Sequence, residues 1–197
     1  VPHLSWVSMG GEAKRDYPAS IHYQSPWWEK YSLVEDHFAR LCTVMTRGKP
    51  VVRVGIIHPI ESYWMHFGPS EQTAHIRDNM DSNFQNLTKW LLFGGIDFDY
   101  ISESLLPELC KESGAPLKVG EMEYDIILVP ECETLRSTTL EILEGFVHAG
   151  GKLLFVGNVP KLENGIESSR SLELAEKTKI ISFNRTSVLD AMEDIRM

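Results

Sequence analysis

Five short, largely apolar runs recur along the chain, and each is followed by a helical pattern. The runs span residues 51–57, 98–101, 124–130, 152–157 and 179–183. Strands that are apolar without alternation are typical of a parallel sheet covered on both faces. The pattern therefore predicts an α/β fold: a three-layer, doubly wound, flavodoxin-like domain with about five mostly parallel strands and helices on both faces. A closed eight-stranded barrel would need eight such repeats, so the five found here do not predict a barrel.

The segments between the runs carry helical signals. Ser32 and Glu35 form a capping box ahead of apolar residues that recur at helical spacing, at positions 34, 38, 41 and 45. A longer helix is predicted to begin near Ser70. Thr138 and Glu141 form a second capping box before the fourth strand. These helices would supply the two outer layers.

The net charge and the length of the apolar runs limit the kinds of partner that this chain can bind. The chain has 19 Lys and Arg against 28 Asp and Glu, a net charge of −9 at pH 7. That sign repels a phosphate backbone and an anionic membrane surface. The longest apolar runs are strand-sized, well below the roughly 20 residues that span a bilayer. We therefore expect no nucleic-acid partner and no membrane partner.

The three cysteines are isolated from one another. Cys42, Cys110 and Cys132 form no C-x-x-C motif, so neither a zinc site nor a disulfide framework is predicted. A reducing compartment fits this pattern, and the expected location leans cytoplasmic. The first residues lack an initiator Met and a signal pattern, which suggests a chain cut from something longer and leaves the parent's location open. Cys42 and Cys110 fall on predicted helices and are expected in the core.

Residues 1–30 interrupt the alternating pattern, because they are polar, aromatic and rich in turn residues. We interpret them as a linker or surface arm. Trp27 and Trp28 could form a platform on which a sugar ring stacks. Aromatic residues in such an arm more often anchor it to a neighbouring domain, and we favour anchoring.

Polar residues follow the predicted strands, where an open α/β sheet binds its ligands. The candidates on this rim are His58, Glu131, Cys132 and Asn158. A phosphate-binding turn needs glycines. The turn after the first strand reads H-P-I-E-S, and the turn at 157–160 holds one glycine. We therefore expect no nucleotide, flavin or other cofactor.

Cys132 is predicted to be a poor nucleophile. It lies between Glu131 and Glu133, whose charges raise the pKa of the thiol, and no glycine flanks it as in a nucleophile elbow. The two glutamates are too close along one turn to bracket a glycosidic bond. The seven histidines show no H-E-x-x-H motif. The sequence thus predicts no catalytic residue and no metal site.

Two sets of residues resemble known families. The runs V-P-H-L-S at 1–5, G-E-A-K-R-D-Y-P-A-S at 11–20, Q-S-P-W-W at 24–28 and F-A-R-L at 38–41 are similar to large bacterial glycoside hydrolases of the α-L-rhamnosidase-like kind. In those enzymes such a segment leaves the catalytic barrel and enters a following α/β domain. The runs Y-D-I-I-L-V-P at 124–130 and G-G-K-L-L-F-V-G at 150–157 resemble the class I glutamine amidotransferase-like domain. That domain also forms the middle, trimerisation domain of some β-galactosidases.

The resemblance implies a division of the chain. Residues 1–30 would be an arm at the end of a preceding catalytic barrel domain, and residues 31–197 the amidotransferase-like α/β domain. The implied partners are the barrel of the same polypeptide, a second copy of the chain, and carbohydrate through the parent enzyme. The residues implied to lie nearest the sugar in the intact protein are His3, Lys14, Arg15, Asp16, Trp27 and Trp28.

We therefore expect a non-catalytic α/β domain of a bacterial glycoside hydrolase. Its role would be domain packing, oligomerisation or shaping of the neighbouring sugar site. The glycine-flanked cysteine and the His/Glu pair of the amidotransferases are not found in this sequence. Two alternatives remain: a carbohydrate-binding module without catalysis, and a stand-alone amidotransferase-like hydrolase that uses Cys132.

Overall fold

The computed structural model describes residues 25–195, and the chain divides into two compact units, Val1–Pro50 and Val51–Met197. The described part of the first unit contains a 3-10 helix, Trp28–Lys30, and α1, Ser32–Met45. Helix α1, which the sequence placed with the α/β domain, falls in this unit.

Every residue of α1 is exposed. The prediction that Cys42 lies in the core is therefore wrong, whereas Cys110 is buried as expected. The predicted capping box is also wrong, because Ser32 is itself the first helical residue and the cap position is taken by Tyr31 without a side-chain hydrogen bond.

The second unit holds the alternating helices and strands. In chain order they are β1 (Val54–Ile57), α2 (Ile60–Met65), α3 (Ser70–Phe93), β2 (Phe98–Ile101), α4 (Leu106–Leu109), β3 (Leu117–Val119), β4 (Met122–Tyr124), β5 (Ile126–Val129), β6 (Thr134–Leu135), α5 (Ser137–His148), β7 (Lys152–Val156), β8 (Leu162–Glu163), β9 (Ile166–Glu167), α6 (Arg170–Ala175), β10 (Lys179–Ile181) and α7 (Arg185–Asp190), followed by a 3-10 helix, Glu193–Ile195. None of the helices in residues 25–195 is long and apolar enough to cross a membrane.

Five of the described strands form the central sheet, in the order β10-β7-β5-β1-β2 with every neighbouring pair parallel. Val54 of β1 lies opposite both Phe98 and Ile126. The chain therefore moves to one side from β1 to β2, returns past β1 to β5, and continues to the other side through β7 and β10. The predicted α/β three-layer fold with five parallel strands is confirmed.

Alternate residues of each strand pack on opposite faces of the sheet. Ile126 and Leu128 of β5 belong to a core cluster with α3 and α7, whereas Ile127 and Val129 belong to a cluster with α5. All four residues of this strand are buried. Because both faces are covered, no polar residue interrupts the run, which explains the continuous apolar signal in the sequence.

Several local features differ from the predictions. Strand β1 begins at Val54 rather than at Val51, which is exposed. Helix α2 and two small sheets, β3–β4 and β6–β8–β9, were not predicted. The β8–β9 turn does have a sequence signal, because Asn164 and Gly165 have positive φ angles of 52° and 78°, as an Asn-Gly hairpin turn requires.

The start of α5 is capped by distant side chains. Thr138 and Glu141 do not form the predicted capping box, since the helix already begins at Ser137 and its cap residue, Arg136, makes no side-chain cap hydrogen bond. Glu103 Oε2 accepts a hydrogen bond from the Arg136 backbone N–H at 2.8 Å. Asn164 Oδ1 likewise accepts from the Ser137 N–H at 3.1 Å. Tertiary contacts thus satisfy amide groups that no helical carbonyl can reach.

Candidate functional site

The carboxyl edge of the central sheet is where this fold positions polar side chains. Strands β2 and β5 lie on opposite sides of β1, so the loops after β1 and β5 diverge and leave a crevice between them. His58 follows β1, Glu131 and Cys132 follow β5, and Asn158 follows β7. The four predicted rim residues therefore lie along one edge.

Glu131 is held by amide groups from two other elements. Asn83 of α3 donates its Nδ2–H to Oε2 at 3.2 Å, and Asn158 donates its Nδ2–H to Oε1. Gly157, which precedes Asn158, has a φ of +87°, a backbone conformation that side chains other than glycine rarely adopt. Neutral donors on both oxygens fix the orientation of this carboxylate.

Glu133 is paired with a histidine that the sequence did not connect to it. His66 Nε2 lies 2.9 Å from both carboxylate oxygens. Ser62 Oγ, which is buried, accepts hydrogen bonds from the backbone N–H groups of Glu133 and Thr134 at 2.9 and 3.1 Å. His66 and Glu133 thus form a pair that the sequence alone did not place, and Ser62 of α2 anchors the loop that carries Glu133.

Cys132 lies between these two glutamates and is buried. Burial raises the pKa of its thiol, and the carboxylates of Glu103, Glu131 and Glu133 raise it further. The predicted direction is confirmed, with burial as the larger cause. The thiol stays protonated at neutral pH, and the thiolate is the nucleophilic form.

His58 belongs to an aromatic cluster. Its ring packs edge-on against Phe84 and Tyr100, with centroid separations of 5.1 and 5.9 Å. Burial lowers the pKa of this imidazole, so the ring is neutral at neutral pH. Its contacts are those of a packing residue at the edge of the sheet.

Glu103 is the one buried carboxyl group among residues 25–195, with 1% of its surface exposed. Burial raises its pKa, while the hydrogen bond from the Arg136 backbone N–H lowers it. Thr139 also lowers the pKa through its hydroxyl, which faces the carboxyl group, although neither Thr139 Oγ1 nor Glu103 Oε1 makes a hydrogen bond of good geometry among the described residues. Through its hydrogen bond with the Arg136 N–H, Glu103 connects the end of β2 to the start of α5.

Two cavities open at the crevice. The larger, of about 1200 Å³, lies on the β7 side and includes Cys132 and Asn158 in its lining. The smaller, of about 210 Å³, lies on the β1 side and includes His58. Met80 and Glu131 line both cavities. Glu131 thus faces the whole crevice.

The structure brings together only part of the predicted set. Glu131, Cys132 and Asn158 line the larger cavity, and His58 shares the smaller one with Glu131. Trp27 and Trp28 lie in the first unit, where both are exposed. The other residues implied to lie near sugar are outside the described part of the chain: His3, Lys14, Arg15 and Asp16.

Sequence reasoning missed the residues that α2 and α3 supply. Ser62, His66 and Asn83 contact the loop after β5 from 48 to 72 positions away. No local motif marks them. The available signal was the polar turn after the first strand. A helix that follows a strand of a parallel sheet begins at the carboxyl edge of that sheet, so the residues after this turn were candidates for the site. Across residues 25–195, no group of three or more His, Cys, Asp or Glu side chains is arranged to hold a metal ion.

No family model matches the chain. It is 25% identical over 165 residues to a Formosa agariphila protein provisionally named a beta-glucuronidase, a match that covers 84% of this chain and 12% of that protein. The sequence similarity confirms a distant relationship to glycoside hydrolases. The chain spans about an eighth of the length of this relative.

The fold recurs within solved β-galactosidase chains. A cold-adapted β-galactosidase from Rahnella sp. R3 matches with a TM-score of 0.54 at 19% identity, over 80% of this chain and 21% of that one. A catalytic mutant of a GH42 β-galactosidase from G. stearothermophilus matches with a TM-score of 0.54 at 14% identity, over 82% and 22%. A β-galactosidase from Bacillus circulans sp. alkalophilus gives 0.53 at 15% identity, over 79% and 21%. At these identities the matches show the fold alone.

Proposed function

We propose that this chain contains a non-catalytic α/β domain of a larger bacterial glycoside hydrolase. The domain acts in packing against a catalytic barrel of the same polypeptide, in oligomerisation, or in shaping the neighbouring sugar site. Two findings support the parent's class: the sequence similarity to a much longer relative, and the recurrence of the fold in about a fifth of each β-galactosidase chain. The proposed domain type is the class I glutamine amidotransferase-like, middle-domain type.

The state of Cys132 is the observation that carries the non-catalytic assignment. A cysteine hydrolase needs an exposed thiol with a lowered pKa beside a base. Here the thiol is buried among three carboxylates that raise its pKa. His66 is engaged with Glu133, and His58 packs against aromatic rings. This geometry argues against the amidotransferase-like hydrolase as an alternative.

The apolar face of α1, which belongs to the first unit, supports a packing role for the part of the chain that precedes the α/β unit. Phe38 and Met45 lie on this face and are exposed in the chain alone, by 54% and 75%. Apolar helix faces of this kind are typical of protein contact surfaces. A catalytic barrel in the same polypeptide is the partner that the proposed function implies.

The chain should therefore show one fast thiol and no turnover. We expect iodoacetamide to modify the exposed Cys42 readily, and Cys132 more slowly than free cysteine by a factor on the order of 100 or more. Mass spectrometry of the alkylated peptides gives both rates. The same chain should release no nitrophenol from nitrophenyl glycosides and no ammonia from glutamine, and Cys132→Ser should change neither result. Rapid alkylation of Cys132, or turnover of either substrate, would contradict the proposal.

A carbohydrate-binding module without catalysis is the second candidate. The exposure of Trp27 and Trp28, 53% and 47%, favours it, because neighbouring indoles can stack on a sugar ring. This candidate predicts that a monosaccharide quenches the tryptophan fluorescence saturably. The quenching should disappear in the double variant Trp27→Ala/Trp28→Ala and persist in Trp64→Ala, which removes an exposed tryptophan of the second unit. Quenching that survives the double variant counts against this candidate.

A further inference from the structure

The larger cavity at the carboxyl edge has the position and size of a small-molecule site. It lies at the carboxyl edge of the sheet, outside which open α/β sheets bind ligands, on the β7 side of the crevice between β1 and β5. Its volume of about 1200 Å³ is ample for a small molecule. Neither the non-catalytic assignment nor the parent's activity assigns a ligand to it.

Several hydrogen-bond donors that line this cavity are directed at carboxylates of the protein. Asn83 and Asn158 each direct an Nδ2–H at Glu131. The hydroxyls of Ser168 and Ser169 donate to Glu163 and Glu173, at 3.0 and 2.6 Å. One N–H of each of these two amides and both hydroxyl hydrogens are thus used within the protein.

Acceptor capacity remains at the centre of the cavity. A carboxylate has about four lone-pair positions, and the two amides occupy two of those on Glu131. A ligand that binds the Glu131 carboxylate must therefore bring its own donors. Hydroxyl groups and ammonium groups do so, whereas phosphates and carboxylates do not.

The charge of the lining excludes anions. Glu131, Glu133 and Glu167 line the cavity together with Lys161 as the cationic side chain. This excess of carboxylates repels a phosphate or carboxylate ligand.

The apolar part of the wall favours an uncharged ligand over a cation. Ile76, Met80, Leu172 and Ile180 line the cavity. Such side chains match the C–H face of a sugar-like ring, whereas a compact ammonium would lose hydration against them. Glu133 is moreover already paired with His66.

We infer that this cavity binds a small, uncharged, hydroxyl-rich molecule of monosaccharide size, with the Glu131 carboxylate accepting hydrogen bonds from its hydroxyl groups. Asn83 and Asn158 are positioning residues that hold this carboxylate. The apolar wall contacts the C–H face of the ligand.

Amide chemical shifts of the full 197-residue chain test this assignment. The probes are the uncharged hexoses glucose, galactose and mannose, with glucosamine and glucuronate as cationic and anionic counterparts of glucose. We expect at least one uncharged hexose to shift the amides of residues 131–133 and 157–158 saturably. Glucuronate should bind at least about tenfold more weakly than glucose.

Variants locate the site and separate binding from folding. Glu131→Gln should weaken hexose binding roughly tenfold, since a hydrogen bond to a charged acceptor is lost. Leu172→Asp, at an exposed position of the wall, should weaken it as well and leaves Glu131 intact. Glu141→Gln, at an exposed glutamate of α5 outside the cavity, should leave binding unchanged.

Four results would overturn the inference. They are the absence of saturable shifts with every uncharged hexose, binding of glucuronate as tight as that of glucose, glucosamine binding more than tenfold tighter than glucose, and hexose shifts confined to Trp27 and Trp28. The last result would favour the tryptophan platform of the first unit.

Discussion

Replacing Phe146 with alanine is expected to lower the free energy of unfolding by about 3–5 kcal/mol. Phe146 lies on α5, is fully buried and belongs to the core cluster that this helix forms with β5 and β7. Its ring also packs against the turn before β7. A Cβ atom at Gly151 would clash with the ring, so backbone fills the space on that side. The cavity left by the truncation therefore has little freedom to collapse.

Urea unfolding followed by far-UV circular dichroism measures this loss. Phe93→Ala is the matched control, because it removes the same side chain from a position that is 82% exposed at the end of α3. Substitutions at such surface positions change the unfolding free energy by about 0.5 kcal/mol or less. Similar losses in the two variants would show that α5 does not cover the sheet as described.

Removing the Glu103 carboxyl group is the second change for which we expect a large loss of unfolding free energy. Glu103→Ala leaves the Arg136 N–H at the start of α5 without its acceptor and should lower the unfolding free energy by about 1–3 kcal/mol. Glu103→Gln retains an oxygen for this N–H. It also places an amide donor near Thr139 Oγ1, the hydroxyl that faces the Glu103 carboxyl group. The glutamine variant should therefore be much more stable than the alanine variant.

The stability of the Glu103→Gln variant, measured as a function of pH, tests the raised pKa of Glu103. Because burial raises the pKa of Glu103, the folded chain holds this proton to higher pH than the unfolded chain does. This proton contributes fully to the unfolding free energy below the ordinary glutamate pKa of about 4.3. The contribution is lost as pH rises through the raised pKa of the folded state. The stability of Glu103→Gln relative to the unchanged chain should therefore increase with pH.

Unfolding free energies in urea at several pH values from about 4 to 8 test the sign. Glu141→Gln, at an exposed glutamate of α5, should give a difference from the unchanged chain that does not vary with pH. A Glu103→Gln variant whose relative stability falls as pH rises would refute the raised pKa of this carboxyl.

The main strands could be predicted because their sequence signal is local. Each residue of β5 is buried, so the strand appears in the sequence as an unbroken apolar run. The short strands of the two small sheets carry weaker signals. Strand β6 has two residues and pairs with β8, which lies 28 positions further along the chain. Nothing within so short a strand specifies such a partner.

The candidate site could be predicted only in part, for the same reason. His58, Glu131, Cys132 and Asn158 were identifiable because each follows a recognisable strand. The contacts that decide their chemistry come from elsewhere in the chain. Asn83 orients Glu131 across 48 positions, and no periodicity in α3 distinguishes this asparagine from others on the helix.

By itself, the sequence determined the alternation of strands and helices, the coverage of both sheet faces, and the carboxylates that flank Cys132. These properties depend on residue type and on spacing of a few positions. Only the tertiary structure decided the strand order, the capping of α5 by Glu103, the pairing of His66 with Glu133, and the burial of the Cys132 thiol. Each of these depends on groups that folding brings together from distant positions, so their energies have no local pattern in the sequence.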